Sequence, residues 1–306
     1  MSLEHIDILA KGFIGYATAM LVQSSAVILL VLLVDFALRK RVKAVVRYWL
    51  WMVVPLQLLL PVFLPFLADW GHRLSQAQYA ASAANAGPVG AYAVVSWQAI
   101  ILMVWVVAAA AMVVFWLHRA ILARQIVASA REAKNMMKGT MWYCRTCLKV
   151  KSEVGLKVTA KAASPVLYGL RRPVILIPHH LAPSLGSRHL RSMLLHQVAH
   201  IKRGDIWVNL LQSALQIVYF YNPLLWLANC RIRSIRDEAV DEQVVAIMGD
   251  KAQWYSDALQ NVGRLSHGRP ALSLRMVGVA ESRRTVAAGA RIRPGVAQRV
   301  SSGASV

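Results

Sequence analysis

Three long apolar stretches occupy the first part of the chain, at residues 13–36, 48–68 and 92–117. About 20 apolar residues in α-helix cross the hydrocarbon core of a bilayer, so each stretch predicts a transmembrane helix. Three prolines in the second stretch predict that it is kinked or loosened: Pro55, Pro61 and Pro65. The first stretch lacks a small-residue cleavage site before the basic residues that follow it. We therefore predict that it is retained as a span and not removed as a signal peptide.

Basic residues between these stretches predict the orientation. Residues 37–47 are densely positive, whereas residues 69–91 contain only Arg73 and His72 as basic groups. Short loops rich in Lys and Arg stay in the cytoplasm. This places 37–47 inside, 69–91 outside, the N-terminus outside, and the chain after residue 117 in the cytoplasm.

The pattern changes after the third stretch. Residues 118–138 read as a basic helix that leaves the membrane. The β-branched runs 156–159 and 174–178, bounded by Gly, Pro and Ser, predict strands of a small sheet. Residues 184–203 then predict a helix, with Ser184 or Ser187 as its N-cap.

A further apolar stretch, residues 206–228, is long enough to span a membrane but is interrupted at Asn222-Pro223. A charged amphipathic helix is predicted over 231–248. Residues 285–306 lack apolar periodicity, which predicts disorder. We divide the chain into a membrane domain at 1–118, a cytoplasmic domain at 119–268, and a basic, largely disordered tail at 269–306.

Composition agrees with a membrane class, since 57% of the residues are hydrophobic and the net charge is +21. Such charge favours either anionic lipid or nucleic acid. Cytoplasmic loops of membrane proteins collect Lys and Arg, and the tail lacks interleaved aromatic residues, so we predict the lipid bilayer as a partner and no specific nucleic acid.

The three cysteines, Cys144, Cys147 and Cys230, are too few for a disulfide framework and fit a reducing compartment. Cys144 and Cys147 form a CxxC without a second ligand pair, so we interpret them as an incidental pair and not as a zinc knuckle.

The candidate chemistry begins with His196 and His200. Side chains four residues apart project from one face of a helix, as in the HExxH metal motif. Such a pair alone is also typical of two surface histidines. Downstream acids supply a candidate third ligand, because two histidines and a carboxylate bind zinc in thermolysin-type sites. The same acids could instead pair with neighbouring arginines on a solvated face.

Longer strings carry a specific resemblance. Residues 196–209 (HQVAHIKRGDIWVN), 221–226 (YNPLLW) and 236–241 (RDEAVD) resemble, in order, the BlaR/MecR family of membrane zinc metallopeptidases. The upstream segment 164–178 (SPVLYGLRRPVILIP) resembles the strands that precede the zinc helix in that family. The similarity covers roughly residues 10–285.

The resemblance implies a mainly α, multi-pass protein of the bacterial inner membrane. It would have three transmembrane helices and a cytoplasmic gluzincin-like α+β metallopeptidase domain with a small sheet. Its function would be signalling, through cleavage or binding of a cytoplasmic regulatory protein such as a repressor, with Zn²⁺ as cofactor. Known members sense β-lactams through an extracellular penicillin-binding domain. We expect no such domain after Asp250, so β-lactam sensing is not carried over.

The catalytic glutamate of the family falls on Gln197, an amide that accepts a hydrogen bond but cannot take a proton. The change is open to two interpretations, a natural pseudopeptidase or a substrate-trapping variant. We predict that metal binding survives and that turnover, which gains about 10² to 10⁴ from a general base, largely fails.

The third ligand has two candidates. Register with the family favours Asp237, whereas side-chain length favours Glu238; helix residues one apart point about 100° apart, so only one is expected to reach the metal. Ligand histidines need polar partners that orient them. Asp241 is our main candidate, with Asp205 and Asn209 as further ones.

A shared metal also constrains topology. His196, His200 and Asp237 can meet only if both ends of 206–228 lie on one side of the membrane. We therefore predict a re-entrant or membrane-surface hairpin that turns at Asn222-Pro223, as irregular backbone is tolerated where protein or water covers it.

Overall fold

A computed structural model describes residues 3–63, 96–183, 186–266 and 280–281. The chain folds as two compact units. The first comprises Met1–Phe115 and Ala214–Ile232, and the second comprises Trp116–Ser213 and Arg233–Val306. The predicted membrane domain ended at residue 118. The first unit also includes residues 214–232, which contain the second part of the predicted hairpin at 206–228.

The first unit is helical. Its elements are α1 (Leu3–Leu38), α2 (Ala44–Trp51), α3 (Val53–Phe63), the beginning of α4 (Trp97–Ser129), and residues 214–232. Within the described ranges, two helical segments are long and apolar enough to cross a membrane, Ile6–Leu38 and Trp97–Ser129. They correspond to the first and third predicted spans. Large apolar side chains of α4, including Val104, Val107 and Val114, are exposed, as expected of a helix that faces lipid.

The second predicted span, 48–68, is interrupted between α2 and α3 at Met52. Pro55 has no N–H to donate to the Trp51 carbonyl, so a regular helix cannot continue through this point. Ala44–Leu60 is an apolar region shorter than a full span. Residues 64–68, Pro65 among them, lie outside the described residues, so the second span stays a prediction.

The second unit contains a five-stranded mixed sheet. The strands are β1 (Arg131–Glu132), β2 (Gly155–Thr159), β3 (Val166–Tyr168), β4 (Val174–Pro178) and β5 (Ala280–Glu281), in the order β1-β2-β4-β3-β5. β2 and β4, the two predicted strands, pair in parallel, and the other pairings are antiparallel. β3, only three residues long, lies in the segment 164–178 for which the family resemblance implied strands. β1 and β5 are two residues long and were not predicted.

The predicted basic helix at 118–138 is wrong beyond Ser129. α4 ends there, Arg131 pairs with Val158 in the sheet, and a new helix, α5 (Asn135–Leu148), begins. The pairing with β2 removes residues 131–132 from any helix, and Lys134 is extended. Cys144 and Cys147 lie on α5 as free cysteines, the first buried and the second exposed. Burial raises the pKa of the Cys144 thiol to about 12, so it is an inert core residue.

The helices that follow carry the predicted site residues. They are α6 (Ser187–Arg203), α7 (Asp205–Val218), α8 (Pro223–Met248), a 3₁₀ turn (Gly249–Lys251) and α9 (Ala252–Ser266). The N-cap of α6 is Gly186, with no side-chain cap, so the prediction of Ser187 was wrong; Ser184 lies outside the described residues.

The predicted break at Asn222-Pro223 is confirmed. A turn follows α7, the Asn222 side-chain oxygen accepts from the Leu224 N–H at 2.9 Å, and α8 begins at Pro223. Proline suits a first helical position because its missing N–H would have no partner there. The two arms of the hairpin contact each other, since Asn229 Nδ2 donates to Gln216 Oε1 at 2.8 Å.

The core of the second unit forms where α6 packs on the sheet, α5 and α9. Leu194, Leu195 and Val198 of α6 are fully buried in a cluster with Ile175 and Ile177 of β4. One face of α6 is thereby fixed in the core, which sets the direction of its histidines. In the predicted tail, Ala280–Glu281 pair with β3, and residues 282–306 lie outside the described residues.

Candidate metal centre

α6 brings the two histidines together. His196 and His200 are each 2% exposed, and their Nε2 atoms lie 3.1 Å apart. Both residues lie one helical turn apart on the same face, as their spacing predicts. The two ring nitrogens that point toward each other are therefore Nε2 of both residues.

Asp205 holds the second nitrogen of His200. Gly204 ends α6 in the left-handed conformation with φ +70°, which reverses the chain so that α7 begins at Asp205. His200 Nδ1 lies 2.7 Å from Asp205 Oδ2, and Asp205 is fully buried. Because an ionised carboxylate only accepts hydrogen bonds, His200 donates through Nδ1–H and keeps a lone pair on Nε2.

Asp241 and Tyr255 hold the second nitrogen of His196. His196 Nδ1 lies 2.7 Å from the Tyr255 hydroxyl and 3.1 Å from Asp241 Oδ1. Tyr255 is fully buried on α9, and its hydroxyl also contacts Asp241. Burial, followed by the adjacent Asp241, raises the pKa of Tyr255 well above its usual value. The Tyr255 hydroxyl therefore stays protonated. It donates a hydrogen bond to Asp241 and accepts one from His196 Nδ1–H.

Tyr255 was not among the residues that the sequence pattern predicted for the site. It is separated from the acidic segment on α8 by the 3₁₀ turn, and its spacing carries no metal-site pattern. Only the packing of α9 against α6 places its hydroxyl beside His196.

Asp237 is the acidic group nearest the pair of Nε2 atoms. Its Oδ1 lies 3.9 Å from His200 Nε2, and its charge acts on both histidines. Glu238 is the next residue on α8 and points about 100° away around the helix. This arrangement favours Asp237, the choice made from register, over Glu238 as a third oxygen donor.

These donors fit a tetrahedral metal in most respects. Two histidine nitrogens bound to zinc at about 2.0–2.1 Å are separated by roughly 3.3 Å, close to the 3.1 Å observed here. Two imidazole lone pairs this close repel unless a cation or a proton lies between them. Among the described residues, no group of three or more His, Cys, Asp or Glu side chains is close enough together to hold a metal ion. Asp237 would need to approach by roughly half an ångström to complete the set.

Charges around the pair are unequal. Burial lowers the pKa of His200 even though Asp205 opposes the shift. For His196 burial acts in the same direction, but the hydrogen bond and charge of Asp241, with the charges of Asp237 and Asp205, raise its pKa overall. Burial raises the pKa of Asp237. The pKa of Asp205 is lowered: burial opposes the shift, but the bond to His200 and the nearby arginines outweigh it.

Gln197 lies next to His196 on α6. It is 2% exposed, and its side-chain oxygen Oε1 has no hydrogen-bond partner. It lines a small apolar cavity of about 20 Å³, room for about one water molecule. The cavity is also lined by Pro165, Met193, His196, Tyr255, Ala258, Leu259 and Val262. A buried acceptor without a donor is costly, so this oxygen is suited to receive a hydrogen bond from water or a ligand N–H.

Asn209 is 1% exposed on α7, and its Nδ2 is buried without a hydrogen-bond partner. The Nδ1 atoms of the histidines are held by Asp205, Asp241 and Tyr255 instead. The predicted orienting role of Asn209 therefore stays a prediction.

Fold and site together define a class, a helical membrane protein with a peptidase-like His pair beside buried acids. The family described as BlaR1 peptidase M56 matches residues 16–282, and the chain belongs to it.

Individual relatives are distant. The chain is 24% identical over 149 residues to the regulatory protein BlaR1 of Bacillus licheniformis, which is 48% of this chain and 25% of that protein. It is 18% identical over 149 residues, with the same shares, to methicillin resistance mecR1 proteins of Staphylococcus aureus and Staphylococcus epidermidis. The matched segment thus spans a quarter of the length of these curated relatives.

Proposed function

We propose that this protein is a membrane-embedded signal transducer that binds zinc through His196, His200 and Asp237 and acts on a cytoplasmic regulatory protein. The observation that carries the proposal is the buried pair of Nε2 atoms 3.1 Å apart, each on a ring whose Nδ1 is held by an acid or by Tyr255. Family membership and the two apolar helices support the membrane location. Cytoplasmic orientation follows from the basic residues at 37–47.

Zinc, when bound, would supply Lewis acidity that polarises a peptide carbonyl and acidifies water. The protein's own groups would do the rest. Asp205 and Tyr255 fix the tautomer of each histidine, and the buried surroundings exclude bulk water. Gln197 would orient a water or a substrate amide through Oε1, but its amide cannot accept the proton that a glutamate would take.

A second candidate follows from Gln197. With the general base absent, the same site would bind a partner segment without cutting it, and the protein would act as a pseudopeptidase. The unpartnered Oε1 of Gln197 supports this candidate, because it can accept a hydrogen bond from an N–H of a bound segment. Slow hydrolysis of a partner segment and binding without hydrolysis are distinguished by the same experiment.

The test uses the purified full chain, its Gln197→Glu form and its His200→Ala form. We expect about one zinc per chain in the first two and loss of zinc in the third, measured by metal analysis. Glutamate at 197 should raise hydrolysis of a library of unstructured peptides by about 10² to 10⁴. Gln253→Glu, an exposed position on α9, is the matched control and should change neither quantity.

The outcomes separate the candidates. If the unaltered chain and its Gln197→Glu form both bind zinc and only the Gln197→Glu form cleaves, the protein is a peptidase scaffold that Gln197 makes inactive. Zinc in both with no cleavage in either supports the pseudopeptidase. Absence of zinc in every form would overturn the metal centre itself.

A further inference from the structure

The loop between α1 and α2 carries four exposed cations: Arg39, Lys40, Arg41 and Lys43. No Asp or Glu occurs between residues 35 and 69, so no neighbour in sequence neutralises them. The loop follows directly on Leu38, where a helix long and apolar enough to cross a membrane ends. It therefore lies at the depth of lipid headgroups if α1 spans the bilayer.

The loop has a fixed conformation. The N–H groups of Arg41 and Val42 donate to the Leu38 carbonyl at 2.9 and 3.0 Å, which closes a tight turn. A buried ion pair joins the helices on either side, with Arg47 Nε 2.6 Å from Asp35 Oδ1. Asp35 is 1% exposed and Arg47 is 3% exposed. The cations of the loop are thus presented on a braced hairpin of two helices.

A second cation joins the base of this hairpin. Arg231 binds the second oxygen of the same carboxylate, with Nε at 2.9 Å and Nη2 at 2.8 Å from Asp35 Oδ2. Two guanidinium groups therefore bind one carboxylate. The four exposed cations of the loop form a positive surface that a phosphate would complement.

Exposed apolar side chains flank the positive loop. Phe36 precedes it and is 66% exposed, and Trp49 follows it on α2 and is 67% exposed. Val45 and Val46 of α2 are exposed as well. The guanidinium of Arg39 lies over the Phe36 ring at 4.4 Å, which joins the apolar and cationic parts of the surface. A ligand with an anionic head and hydrocarbon chains matches both parts.

We propose that this surface, residues 36–49, is a binding site for an anionic phospholipid. The phosphate lies among Arg39, Lys40, Arg41 and Lys43, and the acyl chains lie along Phe36, Val46 and Trp49. Basic loops in general are attracted to the anionic membrane surface without holding any one lipid. This loop has a fixed conformation and apolar flanks, so it can retain individual lipid molecules. The site uses no residue of the metal centre, so it stands or fails separately from the proposed function.

The first experiment measures lipids retained by the full chain after extraction from bilayers of phosphatidylcholine with added phosphatidylglycerol, by native mass spectrometry. We expect phosphatidylglycerol to be retained over phosphatidylcholine. The variant R39Q/K40Q/R41Q should lower its retention by on the order of tenfold to a hundredfold. The control variant R145Q/K149Q/K151Q removes three cations from the second unit and should leave retention unchanged. Equal loss in both variants would overturn the site.

The second experiment needs no substitution, because loss of loop charge can also change insertion. A photoactivatable phosphatidylglycerol is crosslinked to the unaltered chain in nanodiscs, and the labelled peptide is identified. We expect the label within residues 36–49, with inorganic phosphate unable to compete and with little label from the phosphatidylcholine analogue. Label placed elsewhere, or equal label from both lipids, would refute the proposal. Full competition by inorganic phosphate would also refute it, since the ligand would then be free phosphate.

Discussion

Each histidine of the proposed metal centre depends on a different kind of support. His200 contacts one fully buried carboxylate, Asp205, which directly follows the left-handed Gly204 at the end of α6. His196 rests on a pair, Tyr255 and Asp241, which come from two other helices. Such partners set the tautomer of a ligand histidine and typically contribute about 10- to 100-fold to metal affinity. The local support of His200 is encoded within five residues, whereas that of His196 requires the tertiary fold.

Tyr255→Phe tests the support of His196. Loss of the hydroxyl leaves His196 Nδ1 with only the longer contact to Asp241, at 3.1 Å. We expect zinc affinity to fall about 10- to 100-fold, measured by competition with a chelator, with the unfolding temperature nearly unchanged. Tyr168→Phe, on β3, is the control and should bind zinc like the unaltered chain. An unchanged affinity in Tyr255→Phe would show that Asp241 alone orients the ring.

At the scale of elements, glycines and prolines decide where helices stop. Gly204 separates α6 from α7, and Pro223 begins α8. Both features are visible in the sequence. The interruption at Met52 also has a local cause, the missing N–H of Pro55. In contrast, β1 and β3 are too short to have a periodic pattern and exist because β2 and β4 offer free edges to pair with.

Gly204→Ala tests the helix junction. No atom lies within 4 Å of the position that a Cβ would take at Gly204, so the cost arises from its φ of +70° alone. We expect a loss of about 1 kcal/mol in the free energy of unfolding, measured by denaturant titration in detergent.

Gly139→Ala is the matched control for this prediction. Gly139 lies inside α5, and a Cβ added there would likewise have no atom within 4 Å. Alanine there should stabilise the chain by about 0.5–1 kcal/mol, because it restricts the unfolded backbone. Equal effects of the two substitutions would contradict the assigned conformation of Gly204.

At the scale of the whole molecule, the chain has two units with separate cores. The metal centre lies entirely in the second unit, on α6, α7, α8 and α9. The first unit contains its own buried polar groups: Ser24 accepts from Asn222 at 2.8 Å, and Asp35 pairs with Arg47 and Arg231. These bonds fasten the turn at 219–222 and the start of α8 to α1.

Asp35→Asn tests the ion-pair cluster of the first unit. The substitution removes the carboxylate charge that Arg47 and Arg231 both bind, and breaking a buried ion pair at one partner costs about 3–5 kcal/mol. We therefore expect a large drop in the thermal unfolding temperature in detergent. Glu132→Gln is the control, because Glu132 forms an exposed ion pair with Lys138, and it should change the temperature little. A drop of equal size in both variants would contradict a special role for Asp35.

The sequence by itself determined the features that have a local physical cause. Apolar length predicted α1 and α4, prolines predicted the interruption of the second stretch and the break at Asn222-Pro223, and the spacing of His196 and His200 placed both on one face of α6. The motif strings identified the family, which the match over residues 16–282 confirms. Each of these signals is contained in a short stretch of chain.

Tertiary structure alone decided which distant groups meet. The sequence left Asp237 and Glu238 open, and only the placement of α8 against α6 brings the Asp237 carboxylate to 3.9 Å from His200. Tyr255 carried no signal, since its role depends on how α9 packs. The bond of Arg231 to Asp35 joins residues far apart in sequence. Such contacts depend on the orientation of packed elements, and no local pattern of residues specifies that orientation.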